Sequence, residues 1–406
     1  MENTSSESTH LKSKKNSSPL GDMSVATFLA EYWQKKPLLI RGAFPDFAAP
    51  LSPDELAGLA CEEDVNSRIV IEKGGEHPWQ AIHGPMNDDV FANMPETHWS
   101  LVVNDLEKYL PELAWITDKF RFIPEWHLDD LMSSYAAPEG SVGPHVDLYD
   151  VFILQGEGKR RWQLNTQPVA EDNVIPDIAI RLQKEFTAEI EWILEPGDMM
   201  YIPSGVSHHG VSIGESMSYS IGFRATSHAD LVNDFVAHIT DGLSINKTYQ
   251  LPHNKQQVHS NEISAAAIAE LRRVFTEYLD PNHPELARWF GSYVSDSKVD
   301  YLHQCEQNVD NLSQLKQLLL EQNAVLMRYP SSRFAFTRDS DHCLLFVDGQ
   351  DFKVSEQFVY CLCDQRILDL DVLEKSASDN ELDLFINLYN SGKLYLQYED
   401  DQECES

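Results

Sequence analysis

Between residues 121 and 224 the chain consists largely of short β-forming runs cut by Gly and Pro, and this stretch limits the possible folds more than any other. His145 to Ile153 (HVDLYDVFI) has high β content, and Gly156-Glu157-Gly158 reads as a hairpin turn before a strand at Arg160 to Leu164. Met217 to Phe223 alternates strictly. Met217, Tyr219, Ile221 and Phe223 share one face, and Ser218, Ser220 and Gly222 share the other. A succession of short punctuated strands predicts a barrel or a sandwich.

Helical patterns flank this stretch. Val25, Phe28, Leu29, Tyr32 and Trp33 recur at helical spacing between Met23 and Lys36, with Asp22 as the expected N-cap. Pro37 to Arg41 reads as a strand. Ser52-Pro53-Asp54-Glu55 carries a capping residue, a proline at the first helical position and a capping-box glutamate. Beyond Arg224, Ser227 caps a helix with Leu231, Phe235 and His238. A second helix spans Ile263 to Leu279, with Ile268, Leu271, Val274, Phe275 and Tyr278 in one stripe. A third carries Leu286, Trp289, Phe290 and Tyr293, and the polar residues 244–260 read as a loop. The last hundred residues mix a helix near 310–322, short strands near 324–328, 333–337 and 342–347, a turn at Asp348-Gly349 and a final strand at Leu394–Gln397.

Charge and composition narrow the function. The chain has 31 Lys and Arg against 65 Asp and Glu, a net charge of −34. That argues against nonspecific binding to phosphates and favours a basic partner. From residue 301 onward the balance is 8 against 20, opposite to a DNA-reading winged helix. No run of eighteen apolar residues spans a bilayer, so no membrane partner is expected. The first 21 residues are polar, read as a disordered tail and lack the apolar core of a secretory signal. Cys61, Cys305, Cys343, Cys361, Cys363 and Cys404 form no CxxC pair, and a reducing cytoplasm is the expected location. The acidic end, Glu399 to Glu405, reads as a solvated tail.

The chemistry centres on Gly143-Pro144-His145-Val146-Asp147. On a strand, residues i and i+2 project to one face, so His145 and Asp147 are neighbours. Downstream, Glu195-Pro196-Gly197-Asp198 and Tyr201-Ile202-Pro203-Ser204-Gly205-Val206-Ser207-His208 bring a turn and a shaped approach to a second histidine. Two His and one Asp on a rigid barrel make a facial triad that leaves three octahedral positions open, which suits Fe(II) and O2 chemistry. His208 and His209 compete for the third place, and the spacing from Pro203 and Gly205 favours His208. Arg160, just past the expected hairpin, can face the cavity and clamp a carboxylate, or belong to a solvated basic hairpin. Ser134 shares a face with Met132 and Ala136 and can donate to the same carboxylate, or pack as a core serine. Tyr149 and Ile153 have the ligands' parity, as pocket lining or plain core.

These segments resemble the bacterial JmjC-type ribosomal oxygenases. The resemblance is carried by Arg121-Phe122-Ile123-Pro124-Glu125-Trp126 leading into Asp129-Asp130-Leu131-Met132, by GPHVDLYDVFILQGEGKRRWQL, EPGDMMYIPSGVSHHG and YSIGFRA, and by Leu51 to Ala60. It covers about residues 22–300 well and the rest loosely. It implies a mainly β fold with α: a double-stranded β-helix (JmjC/cupin) core at 22–228, a helical dimerisation segment at 229–300 and a winged-helix-like domain at 301–406. It implies Fe(II)-, 2-oxoglutarate- and O2-dependent hydroxylation of an arginine in large-subunit ribosomal protein sixteen, a basic substrate, by a homodimer. His145, Asp147 and His208 match the metal ligands, Arg160 the residue binding the distal carboxylate of 2-oxoglutarate, and Ser134 a secondary contact to it. Three alternatives stay open: a hydroxylase of His, Asn or Lys or a demethylase with the same triad; a non-catalytic metal-binding cupin; and a winged-helix nucleic-acid regulator, which the local charge disfavours.

Overall fold

The computed structural model describes residues 18–74, 78–170, 172–176, 181–250, 259, 261–297, 305 and 307–398. The acidic run 399–405 and most of the expected tail lie outside these residues. Leu20, near the end of that tail, is buried in the main core.

The strand-rich stretch and the residues before it form one ten-stranded sheet. Its strands are β1 (Leu38–Ile40), β2 (Ser67–Glu72), β3 (Trp79–His83), β4 (Trp99–Val103), β5 (Leu128–Ala136), β6 (His145–Val146), β7 (Asp150–Asn165), β8 (Ile190–Leu194), β9 (Met199–Ile202) and β10 (Ser207–Phe223). The order is β1-β9-β7-β10-β5-β4-β2-β3, with β6 on β10 and β8 on β7. Every pairing is antiparallel.

The alternation read in Met217 to Phe223 divides the sheet into two faces. Met217, Tyr219, Ile221 and Phe223 are buried in the main core with Phe28, Leu56 and Phe120. Phe28 and Leu56 come from two short helices, Val25–Glu31 and Pro53–Leu59. The second begins with the expected capping box, in which Ser52 Oγ accepts from Glu55 N and the Glu55 carboxylate accepts from Ser52 N. The first is capped by Ser24, whose side chain accepts from Thr27 N, and not by Asp22. It is also shorter than its apolar spacing predicts, because Gln34 turns to a φ of 57°.

Two other expectations are corrected. There is no hairpin at Gly156-Glu157-Gly158, because β7 runs through it as one 16-residue strand. Its register with β10 shifts between Ile213 and Met217 and again between Met217 and Ser218. The glycines admit that irregular approach: a Cβ on Gly158 would lie 2.0 Å from the Glu215 carbonyl oxygen, and one on Gly156 2.9 Å from the Tyr219 ring. A bulge and a turn call for the same residue, so the sequence pattern does not separate them. The run at His145 to Ile153 also divides, since β6 ends at Val146 and β7 begins at Asp150. Asp147 therefore sits in the connection, one residue past the strand.

Helices His228–Asp241, Ala265–Tyr278 and Leu286–Ser295 follow. The last packs on a three-stranded sheet of β12 (Phe334–Asp339), β13 (His342–Val347) and β14 (Gln350–Val354). Gly291 lets the Phe346 ring lie against this helix, since a Cβ there would come within 2.2 Å of the ring. Helix Leu312–Gln322, the pair β11 (Ala324–Arg328) with β15 (Leu394–Tyr398), and three further helices complete a second core around Leu315, Phe358 and Phe385. Among the described residues no helix is long and apolar enough to cross a membrane.

A polar seam joins the two cores. Arg328 makes a two-pronged pair with Glu125 at 3.0 and 3.1 Å, Arg366 bonds Asp118 at 3.0 Å, and the Tyr329 hydroxyl donates to the Lys108 carbonyl.

Candidate metal and carboxylate site

His145 and His208 lie directly opposite each other on β6 and β10. With Asp147 they form the one group among the described residues whose His, Cys, Asp or Glu donor atoms converge, all within 4.8 Å. His145 Nε2 is 3.8 Å from Asp147 Oδ1, and His208 Nε2 is 3.4 Å from Oδ2.

Local chemistry explains the convergence. A turn from Pro203 to Val206 closes with a 3.3 Å bond between Val206 N and the Pro203 carbonyl, and its third residue, Gly205, has a φ of +85°. Gly205 N then donates to the Asp147 carbonyl at 2.8 Å, tying the approach of β10 to the Asp147 connection. Both imidazoles commit Nδ1 to backbone: His145 to the Gly143 carbonyl at 2.8 Å, His208 to the Val206 carbonyl at 3.0 Å. This turns both Nε2 atoms toward Asp147, where a metal would be bound. Burial, then the neighbouring His208, pulls His145 down to about 4, so it is neutral. Burial alone would raise Asp147, but the bond and charge of His208 outweigh it and hold the carboxylate at about 2. Burial opposes protonation of His208 too, and contact with Asp147 moves its net shift upward. Two imidazole nitrogens and one anionic oxygen, with His145 and Asp147 partly open to solvent, form a donor set that fits a divalent metal with vacant positions.

Arg160 occupies the interior face of β7, opposite Ser212 on β10. It is 7% exposed, and its partners are hydroxyls: Ser134 Oγ at 3.0 Å, Ser218 Oγ at 2.9 Å, and Ser216 Oγ at 3.1 and 3.3 Å. Burial pulls the guanidinium down to about 10. Among the described residues no carboxylate pairs with this buried cation, which suits it to an anion from outside. The Trp162 ring links the two clusters, its centroid 5.9 Å from the Arg160 Cζ and 6.1 Å from the His208 ring.

The residues singled out in the sequence thus fall into two adjoining sets, His145 with Asp147 and His208, and Arg160 with Ser134. His209 points away, packing edge-on against Phe186 at 5.9 Å. Ile153 joins an apolar cluster with Trp162 and Met200. Tyr149 hydrogen-bonds to Asp147. Ser216 and Ser218 are additions to the sequence-derived set. The alternation of β10 placed Ser218 on the polar face, and only its register opposite Ser134 brings it to Arg160.

A further addition is Asp130. It shares the β5 face of Met132 and Ser134, and its Oδ2 accepts from Asn104 Nδ2 at 3.2 Å. A Cβ on Gly222 would sit 2.8 Å from Asp130 Oδ1 and 3.9 Å from the Tyr149 ring, so these two side chains border one space. Burial, with the like charges of Asp105 and Asp129, raises Asp130 to about 6.

Comparison with known proteins gives concordant results. Residues 115–231 match the family described as JmjC domain, and residues 281–395 match ROXA-like winged helix. The second match takes in the helix Leu286–Ser295. The ribosomal protein uL16 3-hydroxylase of Escherichia coli K12 is 38% identical over 274 residues, covering 67% of this chain and 71% of that one. A probable ribosomal oxygenase of Haemophilus influenzae is 39% identical over 207 residues, 51% of each chain. The crystal structure of E. coli YcfD superposes with a TM-score of 0.81 at 31% identity, covering 93% of this chain and 99% of that one. The same ribosomal oxygenase in complex with cobalt and 2-oxoglutarate superposes with a TM-score of 0.79 at 30% identity, over 93% and 99%.

Proposed function

This chain belongs to the JmjC-type ribosomal oxygenases, and from that premise we propose an Fe(II)- and 2-oxoglutarate-dependent hydroxylase acting on an arginine of ribosomal protein uL16. The observation that carries the reading is Arg160, a buried cation among three serine hydroxyls beside a convergent His-Asp-His set.

His145, Asp147 and His208 would hold the iron through Nε2, carboxylate and Nε2. Iron with 2-oxoglutarate and O2 supplies an oxidant able to hydroxylate an unactivated C–H bond, with succinate and CO2 as by-products. Arg160 would bind the distal carboxylate of 2-oxoglutarate, its charge supplying what three neutral hydroxyls lack. Ser134 and Ser218 would orient the guanidinium and help fix the diacid. Tyr149, hydrogen-bonded to Asp147, would help hold that carboxylate in place.

The arginine assignment draws support from Asp130. Its half-buried carboxylate accepts from the neutral Asn104 amide, and a substrate guanidinium would pair with it in two-pronged fashion beside the Tyr149 ring. Holding that end fixes how far along the side chain the oxidant reaches. The net charge of −34 favours a basic substrate over nucleic acid, and a ribosomal target places the reaction in the cytoplasm.

We also propose a homodimer, with the catalytic core at 22–228 and the terminal module at 301–406 joined by the helical segment 229–300. Helix Ala265–Tyr278 has no buried residue in the single chain, and Ile268, Leu271, Phe275 and Leu279 are all exposed along it. A second copy covering this stripe removes it from water. Light scattering should give twice the chain mass; a monomer overturns the dimer.

The deciding experiment is Fe(II)-dependent succinate release with and without a uL16 peptide, followed by mass spectrometry. Peptide-stimulated turnover with a lasting gain of one oxygen on an arginine is expected. Turnover without modified arginine rejects the substrate, and metal binding without turnover rejects the enzyme in favour of a non-catalytic cupin.

A further inference from the structure

Opposite Gly222 of β10, strand β5 carries one residue too many. Ile221 pairs with Leu131 and Phe223 pairs with Leu128, so Asp129 and Asp130 together face the single residue Gly222. This is a β-bulge, and a bulge re-aims side chains at the cost of leaving ladder groups without their usual partners. The side chain that lies over Gly222 here is that of Asp130, bordering the space it shares with Tyr149.

Two carbonyls of this bulge are met by a side chain from the other end of the chain. Arg333, in the turn before β12, donates from Nη1 to the Leu128 carbonyl at 2.8 Å and from Nη2 to the Asp129 carbonyl at 2.9 Å. Its Nη2 also reaches Asp129 Oδ1 at 3.5 Å, and Arg224, following β10, bonds the same oxygen through Nε at 3.0 Å. The peptide plane that ends in the Asp129 carbonyl begins the Asp130 amide, so fixing the one orients the other. Arg333 brings the C-terminal module onto the strand bearing Asp130 and Ser134. Arg328 and Tyr329, its neighbours in the seam, contact Glu125 and Lys108 instead.

We propose that Arg333 is a positioning residue for substrate recognition: from the C-terminal module it pins the β5 bulge and so aims Asp130 at the substrate side chain. The proposal rests on the reading of Asp130 given above, and it assigns the C-terminal module a part in the active site without any contact to substrate. Arg333 forms no bond to Arg160 or its serines, so the two binding functions separate.

The test uses full-length protein carrying Arg333→Ala or Arg333→Lys. Lysine keeps the charge but loses the fork that spans two carbonyls. For Arg333→Ala the KM for the uL16 peptide should rise, or kcat fall, by about tenfold, with the KM for 2-oxoglutarate within about twofold of the parent, as misplacement of one anchoring group would produce. Arg333→Lys should fall between the two. Hydrogen exchange is measured in parallel without substrate. Faster exchange of the amides of residues 128–132, with those of β9 unchanged, is expected in both variants. If Arg333→Ala unfolds, Arg333→Lys carries both readouts. Unchanged exchange at 128–132 overturns the pinning whatever the substrate is. Faster exchange with unchanged peptide kinetics overturns the link to recognition. Should the parent enzyme itself not modify the peptide, the substrate reading fails, and the exchange data still decide whether Arg333 holds the bulge.

Discussion

Two arginines of this molecule are about equally hidden, Arg160 at 7% exposure inside the sheet and Arg328 at 6% in the seam between the cores. Their surroundings differ in one respect. Arg328 meets the Glu125 carboxylate with two nitrogens, and that ion pair more than offsets burial, so its net shift is upward. Arg160 meets only hydroxyls, and burial pulls it down. A cation whose counter-charge is built in serves the fold; a cation left with neutral donors and acceptors awaits one from solution. Burial alone would have classed them together.

The sharpest way to break this contrast is at the neighbouring donor set. His145→Ala or Asp147→Ala should leave thermal unfolding nearly unchanged while turnover falls by more than about a hundredfold, because removing groups that merely orient a ligand already costs about 10–100-fold. Turnover surviving in both would dissolve the functional side of the comparison. Next comes the seam. Arg328→Ala should lower stability by about 3 kcal/mol, the lower end for a broken buried pair, because Arg121 still faces Glu125 at 2.6 Å. Its 2-oxoglutarate KM should not move. Arg160→Ala should do the reverse, raising the 2-oxoglutarate KM about 10–100-fold, the worth of charged hydrogen bonds, with no loss of melting temperature. Equal melting losses in the two variants would erase the distinction.

A smaller effect concerns Glu107, whose carboxylate accepts from Leu131 N at 2.9 Å behind the bulge. Burial, with the charge of Asp130, raises it to about 8. The folded protein therefore keeps a proton that the unfolded chain releases near about pH 4.3, and stability falls as pH rises from there through about 8. Glu107→Gln lacks this slope. Relative to it, the parent should lose on the order of 2 kcal/mol between about pH 6 and about pH 8 in thermal melts, and parallel profiles would contradict the assignment. Smallest is Ser218→Ala, which removes one neutral partner of Arg160 and should raise the 2-oxoglutarate KM only a few-fold, about 1 kcal/mol.

What was legible in the sequence follows from range. His145, Asp147 and His208 could be read because their spacing and the flanking Pro and Gly are local, and the capping box at Ser52 is local in the same sense. Arg160 was found for a partly mistaken reason. The glycines before it looked like a hairpin, yet they let β10 approach a strand that runs straight through. Ser216 and Asp130 had no local signature. A serine and an acid of an Asp-Asp pair carry no periodicity of their own, and strand register, with a bulge against Gly222, is what brings them to the site. The seam was invisible for the same reason, since Arg328 and Glu125 meet across two hundred and three positions of chain.

His145 and His208 oppose each other on strands far apart in sequence. During synthesis, therefore, two of the three donors emerge well before β10, which carries the third. A slip of one residue in β10 would turn His208 to the outer face and leave two donors where three are needed. Distant pairings of this kind form late in folding. A metal held by all three donors would therefore report that this last long strand has closed in the correct register.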